Sequence, residues 1–468
     1  MTEARAILET IIKAAEAKTQ KQKVQILKDG NCLEREDLQT YLRWVLDPQH
    51  NFYMTVKGLP DPTYGDGNWD FIAMLGLFED MANREIPANV IKSICSNFLG
   101  KASPELRTLF TYAINRQLPG NIGEALVNKA FPGLIYHQPY GGVSSFDPEK
   151  AESRFHWPSG VALQEKADGL SLFIEKAGPH GVEGAHTRQG QDVYSQMLTY
   201  IQPILRVMHH DVLHCEVVLW HKGQLVDRAE ANGVFNSQFQ GTDAIKAGGY
   251  YVEFKGLDLI RYDRFFDGFE PLQQRDRYFK LCTLCEDYCD SIEGVEDRFP
   301  AFTVIDEVLV HSLADAQRVV GGWIAMGYEG GVLKDRGAPW KDTRMVSQMK
   351  LKNQFECSLL VTGVIPHKRN PDWIGSLVCE SATPVPFGAR AMIHTKVGSG
   401  LNEDKESPLC RITPASDWIG KVVDVRAECI TKHNALQHPR VVAVRIDKTL
   451  PDTYEEVLAA YNDSINVR

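Results

Sequence analysis

Apolar residues recur at helical spacing through the first 130 positions. Ala4, Ile7, Leu8, Ile11, Ile12 and Ala15 form one stripe; Leu38, Tyr41, Leu42 and Val45 form another that stops at the Asp47-Pro48 breaker. Spacings of i, i+3, i+4 and i+7 describe amphipathic helices, and two more are predicted over Phe71 to Met81 and Val90 to Phe98. The stretch from Asn51 to Asn68 is rich in glycine and proline and reads as loop. Pro132-Gly133 and Tyr140-Gly141-Gly142 mark a boundary, after which short apolar strands mix with two clear helical stretches, Asp276 to Ile292 and Leu313 to Met326. From Asn353 the pattern is of strands: Leu359-Leu360-Val361, Leu377-Val378, Met392-Ile393, Val422-Val423-Asp424-Val425 and Val441-Val442-Ala443-Val444. Five short strands in roughly 100 residues fit an OB-fold β-barrel. The expected fold class is multidomain α+β, with a helical domain over 1–132, an α+β domain over 133–352 and the β-barrel over 353–468.

Composition agrees with that division. A chain of 468 residues, 43% hydrophobic and 24% charged, suits about three globular domains of ~100–200 residues each. The start, Met1-Thr2-Glu3-Ala4-Arg5, carries an acid early and no apolar run, so no secretory signal is expected. No stretch reaches the ~18 apolar residues of a membrane helix, and a cytoplasmic location is the expectation. The net charge of −10 argues weakly against nucleic-acid binding, but net charge speaks to non-specific attraction rather than to local patches. Basic clusters do occur at Lys18, Lys21 and Lys23, at Lys341 and Arg344, and at Lys368 and Arg369. Cysteines are scattered except for Cys282, Cys285 and Cys289. These share a helical face beside Leu281 and Tyr288 with no fourth Cys or His nearby, so a buried helix face is expected there and zinc is not.

Candidate chemistry centres on Lys166-Ala167-Asp168-Gly169, set between the apolar runs Val161-Ala162-Leu163 and Leu170, Leu172, Phe173, Ile174. This reads as a lysine presented at a strand end by a tight turn. Lysine is a nucleophile only as the neutral amine, so the site needs burial or neighbouring cations that disfavour the ammonium. Such a turn alone is more often a solvated loop; the argument rests on blocks that follow in order. Cys215-Glu216-Val217 lies in a strand pattern, and Glu329-Gly330-Gly331-Val332-Leu333-Lys334 enters another. Lys350-Leu351-Lys352 alternates at strand period, and Arg445-Ile446-Asp447-Lys448 lies near the carboxyl end.

Lysine, acid, acid, paired lysines and R-x-D-K, in this order, resemble the covalent nucleotidyltransferases, and the R-x-D-K ending resembles their ligase branch. Further blocks resemble the ATP-dependent DNA ligases of the T-even bacteriophage type. They are Asn128 to Ile135; Asn232-Gly233, Asn236 and Gly241-Thr242; Trp340 and Arg344 with Lys350 and Lys352; Pro366 to Pro371; and Gly398-Ser399-Gly400-Leu401. The resemblance runs from about Asn128 to Lys448; earlier residues match by helical character.

The resemblance implies an ATP-dependent DNA ligase. Such an enzyme seals 5′-phosphate/3′-hydroxyl nicks in duplex DNA through a lysyl-AMP and a DNA-adenylate. It implies ATP as AMP donor, Mg²⁺, a helical DNA-binding domain, a monomer, and the cytoplasm of the host cell if viral. Lys166 would attack the α-phosphate, and Asp168 would orient its loop and support sealing. Lys350 and Lys352 would hold the α-phosphate and spread its charge, and Lys334 would support the nucleotide. Glu216 and Glu329 would hold Mg²⁺, a hard cation suited to carboxylates. Arg188, in Thr187-Arg188-Gln189-Gly190, matches an arginine that contacts the nick phosphate or ribose. Arg445 and Lys448 would orient pyrophosphate once the last domain swings in about a hinge near Asn353–Glu356.

Gln164, two residues before the lysine, faces the same side of its strand and is placed to read the adenine amino group through its carbonyl; Glu165 faces the other way. Two positions depart from the family. Ser171 stands where an arginine is usual, and Leu257 where an aromatic usually stacks on adenine. Phe254 is the candidate to stack instead, a core strand position being its other reading. An RNA ligase or capping-type nucleotidyltransferase would share the lysine, acids and paired lysines, but the long helical start and the R-x-D-K ending favour DNA ligation. The remaining alternative, an inactive ligase-like DNA clamp, is disfavoured by the intact lysine and both acids.

Overall fold

The computed structural model describes residues 3–465 except 31–34, 53, 63, 66, 84–85, 227–229, 232, 236–244, 246–247, 294–300, 327, 353, 368–369, 383–391 and 432. Asn232, Asn236, Gly241-Thr242, Lys368-Arg369 and Asn353 therefore lie outside the described residues. The fold is mixed α+β and divides into two units, Met1–Pro139 with Gly184–Met197, and Tyr140–Glu183 with Leu198–Arg468. Among the described residues no helix is long and apolar enough to cross a membrane.

The first unit is built from the helices Glu3–Glu16, Gln20–Lys28, Arg35–Leu46, Phe71–Asn83, Ala88–Lys101, Pro104–Ile114 and Glu124–Ala130. Local chemistry sets their starts. Thr19 and Gln22 form a capping box, and Ser103 caps a helix with proline at its first position. Most of both predicted stripes is buried: Ala4, Ile7 and Ile11, then Leu38, Tyr41, Leu42 and Val45, are enclosed, whereas Ile12 is exposed and the buried face runs through Ala14 instead. They pack around Phe98 and Phe110, whose ring centres lie 4.7 Å apart. The Asn128 side chain clasps Ile135, giving and accepting one backbone hydrogen bond at 2.9 Å each.

The strands, numbered along the chain, are β1 (Gly142–Ser144), β2 (Val161–Glu165), β3 (Leu170–Ala177), β4 (Glu183–Thr187), β5 (His210–His221), β6 (Gln224–Leu225), β7 (Tyr250–Arg261), β8 (Phe269–Glu270) and β9 (Ala301–Val304). They continue with β10 (Glu307–Val310), β11 (Gly330–Lys334), β12 (Trp340–Lys341), β13 (Arg344–Lys352), β14 (Phe355–Pro366), β15 (Ile374–Glu380), β16 (His394–Val397), β17 (Val422–Ala427) and β18 (Arg440–Arg445). In the second unit one sheet runs β1-β13-β11-β2-β10. Alternation gives it two unlike faces. Leu163, Leu333, Met349 and Leu351 pack beneath the helix Leu313–Ala325. The opposite face carries a cross-strand row of Glu307, Gln164, Val332 and Lys350.

A second sheet contains β3-β5-β7-β9. Ser171, Glu216 and Lys255 lie side by side on one face, while Leu170, Val217, Phe254 and Phe302 share the other. That other face meets the helix Gln274–Ser291, whose Tyr288 packs edge-on to Phe302 at 5.6 Å. The third sheet runs β16-β15-β14-β17-β18, antiparallel throughout. Its edge strands are linked by one isolated parallel bridge, Ser399 to Arg440, and no continuous pairing closes it among the described residues.

Several expectations shift. The Met392-Ile393 strand begins two residues later, at His394. Helices beyond residue 132 that were not expected include the short Pro148–Arg154 and Tyr262–Phe266, the longer Tyr194–Val207 with its internal Pro203, and Tyr454–Ile465, which packs Tyr461 on Phe355 at 5.3 Å. On the helix Gln274–Ser291 the buried positions are Gln274, Arg277, Leu281, Leu284 and Tyr288. Cys282 and Cys285 are half-buried beside them and Cys289 is exposed, so the three thiols flank the buried face rather than form it.

Candidate active site

The Lys166–Gly169 loop is pinned at both ends, once to each of two sheets. The Lys166 N–H donates to the Gly330 carbonyl at 2.9 Å, and the Gly169 N–H donates to Glu216 Oε1 at 2.9 Å. Both glycines are required by space. A Cβ on Gly169 would stand 2.2 Å from the Val217 carbonyl oxygen. Gly330 has a φ of +145°, and its Cβ would stand 2.4 Å from the Leu351 oxygen.

The lysine so presented pairs with Glu329 Oε2. The second Glu329 oxygen lies 2.5 Å from Lys352 Nζ, and Lys352 also reaches Glu428 Oε2 at 2.8 Å. Burial alone would raise the Glu329 carboxyl, but the ammonium groups of Lys166 and Lys352 hold it below its ordinary value. Burial would likewise lower Lys352, and its hydrogen bonds to Glu329 and Glu428 hold it above. Lys350, two residues earlier on β13, shares the face of Lys352 and lies in the row of Gln164. Asp168 sits inside the pinned loop.

Gln164 is 1% exposed. Its Nε2 donates to Glu307 Oε1 at 3.1 Å, and its Oε1 is buried without a partner among the described residues. The same Glu307 oxygen accepts from Gln274 Nε2 at 2.5 Å. Burial pushes the Glu307 carboxyl up, with the Lys334 charge opposing. Lys334 is buried and donates to the Leu257 carbonyl at 3.0 Å. Burial pulls its ammonium below the ordinary lysine range, against Asp258 and Glu307. Asp258 is gripped by Arg277 at 2.8 and 3.0 Å, and despite burial that guanidinium holds its carboxyl below the ordinary value. Glu165 turns away to Lys255 at 3.1 Å. At the departure position, Ser171 Oγ meets His214 Nε2 at 3.0 Å, and His214 stacks on Phe173 at 4.4 Å.

The expectation for Phe254 is corrected. It is fully buried and lies on the sheet face opposite Glu216 and Lys255, so it belongs to the core and not to a base-stacking surface. Arg188 lies on the Gly184–Met197 segment, which belongs to the first unit, whereas Lys166 belongs to the second. Arg445 is held by Asp447 at 2.7 and 2.8 Å and by Asp424 at 3.3 Å, which pulls the exposed Asp447 carboxyl down to about 2; Lys448 pairs with Asp452. Arg445 pairs with Val422 at one end of β17, whereas Glu428 follows its other end, ~20 Å along the strand at ~3.4 Å per residue. The end of the third sheet that touches Lys352 is thus not the end that carries Arg445.

The structure therefore unites Lys166, Glu329 and Lys352, ties Glu216 to the lysine loop, and keeps Arg445 on Asp424 and Asp447 and Lys448 on Asp452. Sequence reasoning missed Glu307, Gln274, Lys255, His214 and Glu428. Only cross-strand register and helix placement reveal them, and neither is written in local spacing. Among the described residues no three His, Cys, Asp or Glu side chains converge as a protein-only metal cage.

No protein-family model matches the chain. It is 23% identical over 511 aligned positions to the DNA ligase of Enterobacteria phage T4, spanning 98% of this chain and 99% of that protein. The DNA ligase of Enterobacteria phage T6 matches with the same identity and the same spans. Among solved structures, the one named Pmar-Lig_PreS3 is similar in fold at a TM-score of 0.67, with 16% identity, covering 94% of this chain and 99% of that one. A second, Pmar-Lig_Pre., gives a TM-score of 0.66 at 18% identity with the same coverage.

Proposed function

We propose that this chain is an ATP-dependent DNA ligase of the T-even bacteriophage type, sealing 5′-phosphate/3′-hydroxyl nicks in duplex DNA through lysyl-AMP and DNA-adenylate intermediates. The observation that carries the reading is the Lys166 amine held on Glu329, with Lys352 on the same carboxylate, in a chain alignable end to end with phage DNA ligases.

Lys166 Nζ forms the bond to the α-phosphorus of ATP, and the electron pair of the breaking P–O bond leaves with pyrophosphate. The amine must shed a proton first, and Glu329 is the carboxylate hydrogen-bonded to it. Lys350 and Lys352 face the transferred phosphate, where fixed cations stabilise developing charge. The adenylate then passes to the DNA 5′-phosphate, and the 3′-hydroxyl displaces AMP, with Asp168 supporting this step. The buried, unpartnered Gln164 oxygen fits an adenine amino donor. Lys334 steadies the nucleotide end of the sheet. Glu216 and Glu329, hard carboxylate donors on either side of the lysine loop, would hold a Mg²⁺ ion, which would supply charge stabilisation on the phosphates.

The domains are read as a helical DNA-binding domain over 1–132, a nucleotidyltransferase domain over 133–352 and an OB-fold domain over 353–468. The single Ser399–Arg440 bridge between the edge strands of the third sheet supports the last reading. Arg188 reads the nick phosphate or ribose, and Arg445 with Lys448 serves pyrophosphate after a swing near Asn353–Glu356. The enzyme acts on nicked DNA as a monomer without zinc, in the cytoplasm of its host cell.

The test is incubation with α-labelled ATP and Mg²⁺, a denaturing gel, and then nicked duplex DNA. The expected outcome is a labelled band that Lys166→Ala abolishes without change in thermal midpoint, and sealing that follows the same pattern. A band of undiminished intensity in the variant, or labelling by GTP instead of ATP, rejects the reading.

A further inference from the structure

Two glutamines far apart in the chain share one carboxylate. Gln164 on β2 and Gln274 at the start of a helix both donate Nε2 to Glu307 Oε1, at 3.1 and 2.5 Å. Both are nearly enclosed, at 1% and 3% exposure. Both are left with a buried Oε1 that has no partner among the described residues. The arrangement is fixed by backbone. Glu307 is the register partner of Gln164, and the Gln274 N–H donates to the Ala338 carbonyl at 2.9 Å.

An amide whose nitrogen is committed to a carboxylate offers its oxygen, and a carbonyl oxygen only accepts. Buried acceptors left unsatisfied carry a free-energy cost that a donor from a ligand removes. Two acceptors governed by one carboxylate suit a ligand nitrogen bearing two hydrogens, and they repel a ligand carbonyl. We infer that Glu307 and Gln274 join Gln164 as the base-selecting residues of the nucleotide site, taking a purine with an exocyclic 6-amino group and rejecting one with a 6-oxo group. Gln164 and Gln274 touch the base; Glu307 is a positioning residue that sets the direction of both amides. The inference rests on the adenylating reading of Lys166 and adds to it the residues that choose the base.

The experiment compares α-labelled ATP with α-labelled ITP, whose hypoxanthine carries oxygen where adenine carries the amino group. Labelling of Lys166 is followed over a range of nucleotide concentrations in the parent, Glu307→Gln and Gln274→Met. A glutamine at 307 can itself donate, so the amides facing it are free to turn and offer N–H to a 6-oxo group. Glu307→Gln should reduce the preference for ATP over ITP by at least about tenfold, through the half-saturating concentration more than the maximal rate. Gln274→Met, which removes one acceptor at similar volume, should reduce it about fivefold. An unchanged preference in both variants overturns the inference. So does equal loss with both nucleotides, including loss through unfolding, because that is the signature of a purely structural role. A parent that labels with neither nucleotide fails the ligase reading instead, whereas a labelling parent with an unmoved preference fails this inference alone.

Discussion

At the residue scale, the site depends on where two backbone atoms allow the lysine loop to stand. The 2.2 Å approach that a Cβ on Gly169 would make to the Val217 oxygen can be relieved only by moving the loop. That movement would break the Gly169–Glu216 hydrogen bond and displace Lys166. A displacement of about 1 Å costs roughly hundredfold in rate when reacting atoms must be aligned. Gly169→Ala should therefore lower the maximal rate of Lys166 labelling by about that factor while leaving the thermal midpoint within a few degrees. Single-turnover labelling measures the first and thermal unfolding the second. Glu216 carries a double load, as acceptor for the loop and as a ligand proposed for Mg²⁺. Glu216→Ala should lose far more than tenfold in labelling or sealing, since metal charge stabilisation is worth several kcal/mol. Near-normal rates in this variant at limiting Mg²⁺ would remove Glu216 from that role.

At the scale of elements, the helix Gln274–Ser291 is fastened to β7 by a buried ion pair, Arg277 on Asp258, with Arg277 1% exposed. Breaking one partner leaves an uncompensated buried charge, which costs roughly 3–5 kcal/mol. Arg277→Leu should lose about that much in denaturant unfolding at pH 7. The Asp258 carboxyl is held below its ordinary value. A lowered folded pKa means that the folded state binds the proton less tightly than the unfolded chain does. The pair's contribution is complete above the unfolded pKa of about 3.9 and is lost as pH falls through the lower folded value. Parent stability should decline below about pH 4, and Asp258→Asn should show a shallower decline over the same window. The same elements show what local pattern encodes. Lys166 to Gly169, Glu216, Glu329, Lys350 and Lys352 are legible through their order along the chain, which carries the resemblance, and of these the structure joins Lys166, Glu329 and Lys352 and ties Glu216 to the lysine loop. Phe254 stays open between stacking and core because alternation along β7 gives two faces without saying which one Glu216 shares; the pairing of Glu216 with Lys255 decides for the core. Glu307 and Gln274 were invisible because their meeting depends on register and helix placement at once.

At the scale of the whole chain, the carboxyl-terminal sheet has two unlike ends, and among the described residues the Glu428 end is the one that reaches the lysine site. Its Glu428 end holds Lys352, while Arg445 and Lys448, at the other end of β17 and beyond it, are engaged by Asp424, Asp447 and Asp452. An arginine and a lysine held by Asp424, Asp447 and Asp452 are not free for a pyrophosphate leaving Lys166, so on the proposed function adenylation would need a second placement of this sheet. On the proposed function, reaching it would require Lys352 to release Glu428, and the α-phosphate would be the anion to take its place on the lysine. In that second placement Arg445 and Lys448 would meet the pyrophosphate as its P–O bond breaks and its charge grows. The DNA steps have no pyrophosphate and no use for that pair. The Arg445→Ala, Lys448→Ala double variant should therefore fail to label Lys166 with ATP, yet seal a nick supplied already adenylated at a rate near the parent's. Both rates come from one gel assay with two substrates. Equal loss on both would mean that these side chains hold the sheet together through Asp424 and Asp452, as their contacts permit, and the second placement would lose its purpose.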